Sequence, residues 1–379
     1  MRGARHVFGL GIAAAPALSL FAAQTLLISQ GKTEAVLGLA QFSGILGLLF
    51  FVFDGQSGLA PAMMRLRHDD ATIRAAYRFY RLALLLAFLM ALPVGFILLP
   101  DLQFLFVAIL ICLLLRLRPL DHDLDRRNWQ HWGMLAQNGW MITLAAVVLV
   151  RGEIDPTVAG LSALFGTALY ALVHGRTKGA PLEKSRRFAD IRPALMDLLA
   201  LMAAQGLGQI YGRAVLFALG ALFSGPVAAL AIYAKQVFNA AGILLLYLRR
   251  LELKTARPNM RLSLFGQAGI AVIGSVATVL AASRLDVAAP LILALLGWQV
   301  IEKLSATGVY ALQLLGRHDV AFRSFGTVMV FGALGLALAA ASNAVIGFVA
   351  FETLGYGAAL LFWAASRQST RLPGEVRAS

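Results

Sequence analysis

The chain has 379 residues, of which 59% are hydrophobic and 14% are charged, and its mean hydropathy is +0.76. This composition excludes an ordinary soluble domain and is typical of a protein that lies largely in lipid. The formal net charge of +14 would suit a nucleic-acid partner if the protein were soluble. In a membrane protein that surplus belongs in loops facing anionic headgroups, so we expect membrane lipids and no nucleic acid as partners.

Apolar stretches of membrane-spanning length recur about twelve times. Each span needs about 20 apolar residues, because a helix rises about 1.5 Å per residue across about 30 Å of hydrocarbon. The first stretch resembles a signal peptide, but it is as long as a full span and many more follow, so we predict a retained helix. The predicted helices are 8–29, 35–54, 79–99, 101–117, 133–150, 156–173, 194–222, 227–248, 264–283, 287–304, 306–340 (spanning only in its later part) and 344–364.

The connections between these helices alternate in charge. Of the 33 Lys and Arg residues, 28 lie in the two terminal tails and in every second connection. Positively charged loops stay in the cytoplasm, so the pattern predicts a multi-pass protein of the bacterial cytoplasmic (inner) membrane with both termini inside. The other, outer connections are too short to hold a catalytic domain. The basic runs lie at 65–81, 116–127, 176–192, 249–261, 303–323 and after 367.

The longest polar connection, 174–193, lies near the midpoint of the chain. It predicts an N-terminal six-helix lobe over 1–178, a cytoplasmic basic linker over 179–193 and a C-terminal six-helix lobe over 194–379. Parallel halves related by an axis along the membrane normal are a transporter architecture, with the substrate path between them. The alternative is an even-numbered bundle without internal symmetry. In both cases the fold class is all-α.

Three ionisable residues inside predicted spans stand out, because a charge there is expensive unless it is paired or faces water. Arg213, Lys235 and Glu352 each lie about 13–15 Å below the outer boundary at the helical rise. Because Arg213 and Lys235 lie at equal depth on one helical hairpin, both can act on one ligand. Arg offers a bidentate fork and Lys a point charge, so the pair predicts a watery cavity that binds phosphate.

Further polar residues extend this predicted substrate-binding site. They share a helix face with Arg213 or Lys235 through spacings of four or eight residues. These residues are Gln205, Gln209 and Asn239. Two alternatives remain: Arg213 or Lys235 extends outward to the interface, or Glu352 pairs with one of them inside the bundle. Glu352 is also a candidate for carrying a coupling proton.

The first half is poorer in charge. Gln24 and Gln41 are candidate substrate contacts there, although hydrogen bonds between helices explain them equally well. Asp54, near the inner end of helix 2, is a candidate gating residue or the anchor of an interfacial turn.

The sequence gives no indication of an enzyme or of a cofactor. It has one cysteine, Cys112, which excludes an internal disulfide or a cysteine metal cluster, and it lacks a P-loop and a nucleophile elbow. The loop containing Asp121, His122 and Asp123 is crowded with arginines, and we interpret it as solvated and not as a metal site.

Two segments carry a family resemblance. They are Phe-Asp-Gly-Gln-Ser-Gly-Leu-Ala-Pro (53–61) and Ala-Ile-Tyr-Ala-Lys-Gln-Val (231–237). Together with the twelve-helix plan and the basic linker between halves, they make the chain similar to the multidrug/oligosaccharidyl-lipid/polysaccharide (MOP) exporter superfamily, specifically its polysaccharide-biosynthesis, Wzx-like flippase branch. The resemblance covers essentially the whole chain and implies a MATE-like fold.

The resemblance implies a flippase that moves an undecaprenyl-pyrophosphate-linked oligosaccharide to the periplasmic leaflet for O-antigen (lipopolysaccharide), capsule or exopolysaccharide synthesis. The cationic interior fits the diphosphate of such a lipid independently. We expect alternating access in a monomer, driven by the membrane potential or by coupled H⁺ or Na⁺, with a polysaccharide polymerase and glycosyltransferases as further partners. Two alternatives remain open: a cation-coupled multidrug antiporter of the same superfamily, and a polytopic glycosyltransferase or polymerase, which the short outer connections disfavour.

Overall fold

The protein is all-helical wherever the computed structural model describes it, which is over residues 2–55, 60–117, 130–175, 187–203, 207–254, 260–314, 317–342 and 344–367. No strand occurs in these ranges. Their α-helices are α1 (Arg2–Ser29), α2 (Thr33–Asp54), α3 (Ala60–Met64), α4 (Asp70–Leu98), α5 (Gln103–Leu115), α6 (Gln130–Asn138), α7 (Trp140–Arg151), α8 (Pro156–Gly175), α9 (Phe188–Leu201), α10 (Leu207–Leu222), α11 (Gly225–Lys254), α12 (Met260–Leu285), α13 (Ala289–Leu314), α14 (His318–Ser342) and α15 (Val345–Arg367).

The described helices include seven or eight candidate membrane-spanning segments. Seven of them are long and apolar enough to cross a bilayer on their own, and α6 with α7 forms an eighth candidate, bent by 48°. Three shorter apolar helices lie over Pro100–Leu115, Pro156–Leu172 and Ile210–Leu222. The predicted all-α fold of a polytopic membrane protein is therefore confirmed, and the number of twelve spans stays a prediction.

Many large apolar side chains lie on the outside of the bundle. Met90 is 75% exposed, Val150 is 86% exposed and Phe265 is 76% exposed. A soluble protein rarely shows so much exposed apolar surface, whereas lipid tails cover it without penalty. We use "inner" and "outer" below for the ends predicted to face the cytoplasm and the opposite side.

Helix α4 begins earlier than the sequence predicts, at Asp70 instead of residue 79. The carboxylate of Asp69 accepts a hydrogen bond from the Thr72 amide at 2.7 Å, which is the usual N-terminal cap of a helix. The capped helix extends about two turns beyond its apolar stretch. Arg81, assigned to a basic inner loop, therefore lies within the bundle and is fully buried.

Helix α13 continues past the end predicted for it at residue 304 and stops at Leu314. The prediction placed Lys303 in an inner loop because charge normally marks the membrane boundary. That placement is wrong: Lys303 and Glu302 are 8% and 9% exposed inside the bundle. Neither Gly nor Pro interrupts residues 298–307, so nothing in the local sequence ends the helix there.

Helix 7, predicted as one span over 194–222, is two helices. Its inner part, α9, widens into a π-turn at Met202 and Ala203, and α10 begins at Leu207. Such π-turns are short irregularities that interrupt the regular hydrogen-bond ladder. The two helices pack against different neighbours, α9 against α3 and α4 and α10 against α2.

The two halves of the chain contact each other through both α9 and α10. On the outer side α10 packs antiparallel against α2, and a Cβ atom added to Gly220 would lie 2.9 Å from the carbonyl oxygen of Leu37. Helix α1 meets α11 through Phe21 and Tyr233, whose ring centroids are 5.7 Å apart. On the inner side α9 packs against α3 and α4 of the first half.

Candidate functional site

The second half contains a buried cluster of two lysines and two glutamates, which we call the second-half ionic cluster (Lys235, Glu302, Lys303 and Glu352). Helix α11 carries Lys235 through the centre of the bundle, and residues 228–235 are buried without exception. Lys235 and Glu352 are both 0% exposed. Charges this deep require partners, because an isolated ion in such surroundings is strongly destabilising.

Lys235 is held by two carboxylates at once. Its Nζ atom lies 2.9 Å from Oε2 of Glu302 and 3.7 Å from Oε1 of Glu352. The ammonium group also lies 4.8 Å from the ring centre of Trp298, within cation–π range. One of the sequence-based alternatives, an internal ion pair between Lys235 and Glu352, is therefore present. Lys235 as a substrate ligand stays a prediction.

The other members complete the hydrogen bonding of the cluster. Lys303 Nζ lies 3.0 Å from Oε1 of Glu302 and donates to Oδ1 of Asn239 at 2.6 Å. The indole Nε1 of Trp298 donates to Glu352. Two positive and two negative charges leave the cluster neutral, so its lysines have no surplus charge to offer an anion in this state.

Arg213 lies apart from this cluster, at the crossing of α10 and α2. It is partly exposed, its Nε atom is buried without a hydrogen-bond partner, and no carboxylate of the described residues forms an ion pair with it. Its side chain extends toward the inner end of α10, as side chains on helices generally point toward the N-terminus. The guanidinium lies against Gly47 of α2. Arg213 is thus a core cation with unused capacity for an anion.

The remaining predicted substrate contacts lie in different places. Gln24 donates a hydrogen bond to Gln236 of α11 and so joins the two halves, while its own Oε1 is buried without a partner. Gln41 lies beside Gly220 at the α2–α10 contact. Asn239 is exposed on α11 beside Lys303. Gln205 lies outside the described residues, as does the side chain of Gln209.

Asp54 belongs to a second buried cluster, the first-half ionic cluster (Asp54, Arg81 and Arg116). Its Oδ2 atom lies 2.7 Å from Nη1 of Arg116, and its Oδ1 atom lies 3.5 Å from Nη2 of Arg81. Both arginines are 0% exposed. Arg81 also donates to the carbonyl oxygen of Arg116 at 2.7 Å, so the three residues tie α2, α4 and the end of α5 together. Gating by Asp54 stays a prediction.

Gly55 shapes this cluster. It ends α2 in a left-handed conformation, with φ of 59°, which a glycine adopts without strain. Its carbonyl oxygen accepts a hydrogen bond from the Tyr77 hydroxyl at 2.7 Å, and that of Val52 accepts one from Tyr80 at 2.6 Å. Two tyrosines of α4 therefore donate to carbonyls at the end of α2, where the Val52 carbonyl also accepts a bond from the Gly55 amide.

An ion pair also joins the two halves on the inner side. Nε2 of His68, in the turn between α3 and α4, lies 2.8 Å from Oδ2 of Asp197 on α9. Arg67 Nη1 lies 3.7 Å from the same oxygen. Phe79 and Phe188 pack beside them with ring centroids 5.3 Å apart. Sequence analysis did not identify this contact.

Four charged residues of the two clusters were missed as site candidates. Arg81, Arg116 and Lys303 were counted as loop charges, and Glu302 was not singled out. The sequence did contain a signal for Glu302 and Lys303. Each lies four residues after another polar or aromatic residue, Trp298 and Gln299 respectively, so each pair shares one face of a helix. A buried lysine also requires an acid, which Lys235 finds on this face.

Metal binding has no support among the described residues, where no three His, Cys, Asp or Glu side chains lie close enough to share an ion. The charged loop with Asp121, His122 and Asp123 lies outside them.

Comparison with known proteins identifies the fold. No protein-family model matches the sequence, and none of the curated proteins matches it. The chain is similar to a solved structure of a multidrug resistance MATE family transporter of the MOP superfamily in an inward-facing conformation. The TM-score is 0.56, over 95% of this chain and 94% of that chain, at 13% sequence identity. The likeness confirms the predicted MATE-like fold of a polytopic membrane protein.

Proposed function

We propose that the protein is an exporter of the MOP superfamily that flips an undecaprenyl-pyrophosphate-linked oligosaccharide across the cytoplasmic membrane by alternating access. Such a lipid presents a diphosphate to the protein and keeps its tail in the bilayer. The outer connections are too short to hold a catalytic domain, and the similar solved structure is a transporter; both support transport over catalysis.

The main support for this proposal is Arg213. It is a partly exposed arginine in the core of the bundle, at the contact between the two halves, and no described carboxylate neutralises it. A guanidinium binds phosphate oxygens through two parallel hydrogen bonds, so a diphosphate supplies the partner that the protein itself does not. Lys235 and Lys303 are occupied by glutamates, and they become available only if that pairing changes.

The driving force is the membrane potential or a coupled ion. Moving one charge through the potential yields about 2.3 kcal/mol per 100 mV, so an anion with two charges gains about twice that on leaving a negative interior. Glu352 is the candidate carrier of a coupling proton because it shares Lys235 with Glu302. In this proposal the protein works as a monomer and associates with a polysaccharide polymerase and glycosyltransferases.

Mass spectrometry of undecaprenyl-linked sugars from a deletion strain tests the proposal. We expect a complete, unpolymerised repeat unit to accumulate while surface polysaccharide is lost. An incomplete glycan would contradict the proposal and indicate a glycosyltransferase.

A multidrug antiporter is the second candidate, because the similar solved structure is described as a multidrug resistance transporter. Such a protein needs carboxylates free to meet an organic cation. Asp54, Glu302 and Glu352 are each paired with a buried Arg or Lys, which favours the anionic substrate. An unchanged lipid profile with new sensitivity to cationic drugs would move the assignment to the antiporter.

A further inference from the structure

Helices α2 and α10 approach each other closely because glycines line their contact. A Cβ atom added to Gly44 would lie 3.0 Å from the carbonyl oxygen of Arg213, and one added to Gly220 would lie 2.9 Å from that of Leu37. At these two positions the neighbour is backbone. Gly44 and Gly220 therefore serve the packing of one helix on the other.

Gly47 differs from these two glycines, because its neighbour is a side chain. An added Cβ atom would overlap Nη1 of Arg213 and would lie 2.6 Å from Cζ and 3.2 Å from Nε. The guanidinium occupies the space that any other residue at position 47 would fill. Gly47 lies three residues beyond Gly44, so the charge of Arg213 is held about 4–5 Å inward of the level where its backbone contacts α2.

We propose that Gly47 is a positioning residue for Arg213. It holds the guanidinium at the contact between the two halves, so that an anion bound to Arg213 also acts on the contact between α2 and α10. The inference rests on the proposed function only for the identity of the anion, a lipid diphosphate. The position of the charge follows from the packing.

The consequence is a coupling between binding and movement. Arg213 lies on the second half of the chain and Gly47 on the first, so separation of α2 from α10 removes the surface that holds the guanidinium. Conversely, an anion that draws the guanidinium of Arg213 away from Gly47 weakens the contact between α2 and α10. A ligand shifts a conformational equilibrium only through such differential contacts with the two states.

A double-mutant cycle on thermal unfolding tests the positioning without any ligand. Gly47→Ala, Arg213→Ala and the double variant are compared in the purified full-length protein in detergent. We expect Gly47→Ala to lower the melting temperature by several degrees in the wild type and to have little effect when Arg213→Ala has emptied the space. An equal decrease in both backgrounds would overturn the proposal.

Gly269→Ala is the matched control, because Gly269 is a helical glycine of α12 with no atom within 4 Å of an added Cβ. We expect it to leave the melting temperature unchanged. If Gly47→Ala alone yields no folded protein, recovery of folded protein in the double variant supports the proposal, and failure to recover it overturns the proposal.

Binding of farnesyl diphosphate, with farnesol as the neutral control, tests the link to an anion. We expect Gly47→Ala to weaken farnesyl diphosphate binding by about threefold or more, and to have no further effect in the Arg213→Ala background. Equal weakening in both backgrounds overturns the coupling. If the wild-type protein binds farnesol as tightly as farnesyl diphosphate, the proposed lipid-diphosphate function is wrong, and so is the coupling to that anion. The role of Gly47 in positioning Arg213 is then still decided by the unfolding cycle.

Discussion

Lys235 Nζ lies 2.9 Å from Oε2 of Glu302, a residue 67 positions later in the chain. The other oxygen of the same carboxylate lies 3.0 Å from Lys303 Nζ. One glutamate therefore pairs with two lysines, and Lys235 in turn contacts Glu352, which supplies the second negative charge. This sharing makes the second-half ionic cluster sensitive to the loss of any one charge.

We expect Glu302→Gln to destabilise the protein by about 3–5 kcal/mol, because it leaves a buried positive charge without its partner. The double change Glu302→Gln with Lys303→Gln restores neutrality and should recover much of the loss. Thermal unfolding in detergent is measured for Glu302→Gln, Lys303→Gln and the double variant. A double variant as unstable as the sum of the two single variants would contradict the shared pairing.

Asp54→Asn should have a similar effect in the first half. The change leaves Arg81 and Arg116 buried without the only carboxylate that joins them in the described structure, at an expected cost of about 3–5 kcal/mol. We expect little protein to accumulate in the membrane, as measured by immunoblotting of membrane fractions. Asp101→Asn, at an exposed turn, is the control. Normal accumulation of Asp54→Asn would show that the arginines do not depend on this acid.

Gly332→Ala should disturb the contact of α14 with α10. A Cβ atom there would overlap the Tyr211 hydroxyl and would lie 2.5 Å from its Cζ. We expect a lower melting temperature for this variant. Gly326→Ala on the same helix should leave the melting temperature unchanged, because an added Cβ there meets no atom within 4 Å. Equal melting temperatures for the two variants would contradict the observed position of Tyr211.

The sequence allowed the overall fold to be predicted because hydropathy and loop charge act over whole segments. It did not allow the two ionic clusters to be predicted, because their pairs form between distant helices. Arg81 and Lys303 lie at the ends of apolar stretches, where a charge normally enters water, and only the packing of other helices over them shows that they are buried. Arg213 and Lys235 were found because each interrupts an apolar stretch. Glu302, the nearer of the two partners of Lys235, was not found.

The contact of α9 with α3 and α4 predicts which parts move together. The apolar core of this contact includes Ile73 of α4 and Leu198 of α9, and the His68–Asp197 pair lies beside that core. We therefore expect α9 to move together with the first half during transport. His68→Cys with Asp197→Cys, joined in a Cys112→Ser background by a short methanethiosulfonate linker whose disulfides can be reduced, should leave export intact.

A crosslink between α2 and α10 is the contrasting case. Gln41→Cys with Gly220→Cys joins the two halves at a contact that must open in alternating access. Because a side chain at position 220 itself crowds this contact, the reference is export by the same double variant in its reduced form, and we expect crosslinking to stop that export and reduction to restore it. Arrest by the His68–Asp197 crosslink, reversed by reduction, would show instead that α9 moves relative to the first half.

The most direct test of an anionic lipid substrate is mass spectrometry of undecaprenyl-linked sugars in cells whose only copy of the protein carries Arg213→Ala, with the membrane level of the variant matched to that of Gly269→Ala. We predict that the complete, unpolymerised repeat unit accumulates in the Arg213→Ala cells as it does in the deletion strain, and not in the Gly269→Ala cells. Near-normal lipid-linked sugars and near-normal surface polysaccharide in the Arg213→Ala cells would contradict the assignment of the diphosphate to Arg213.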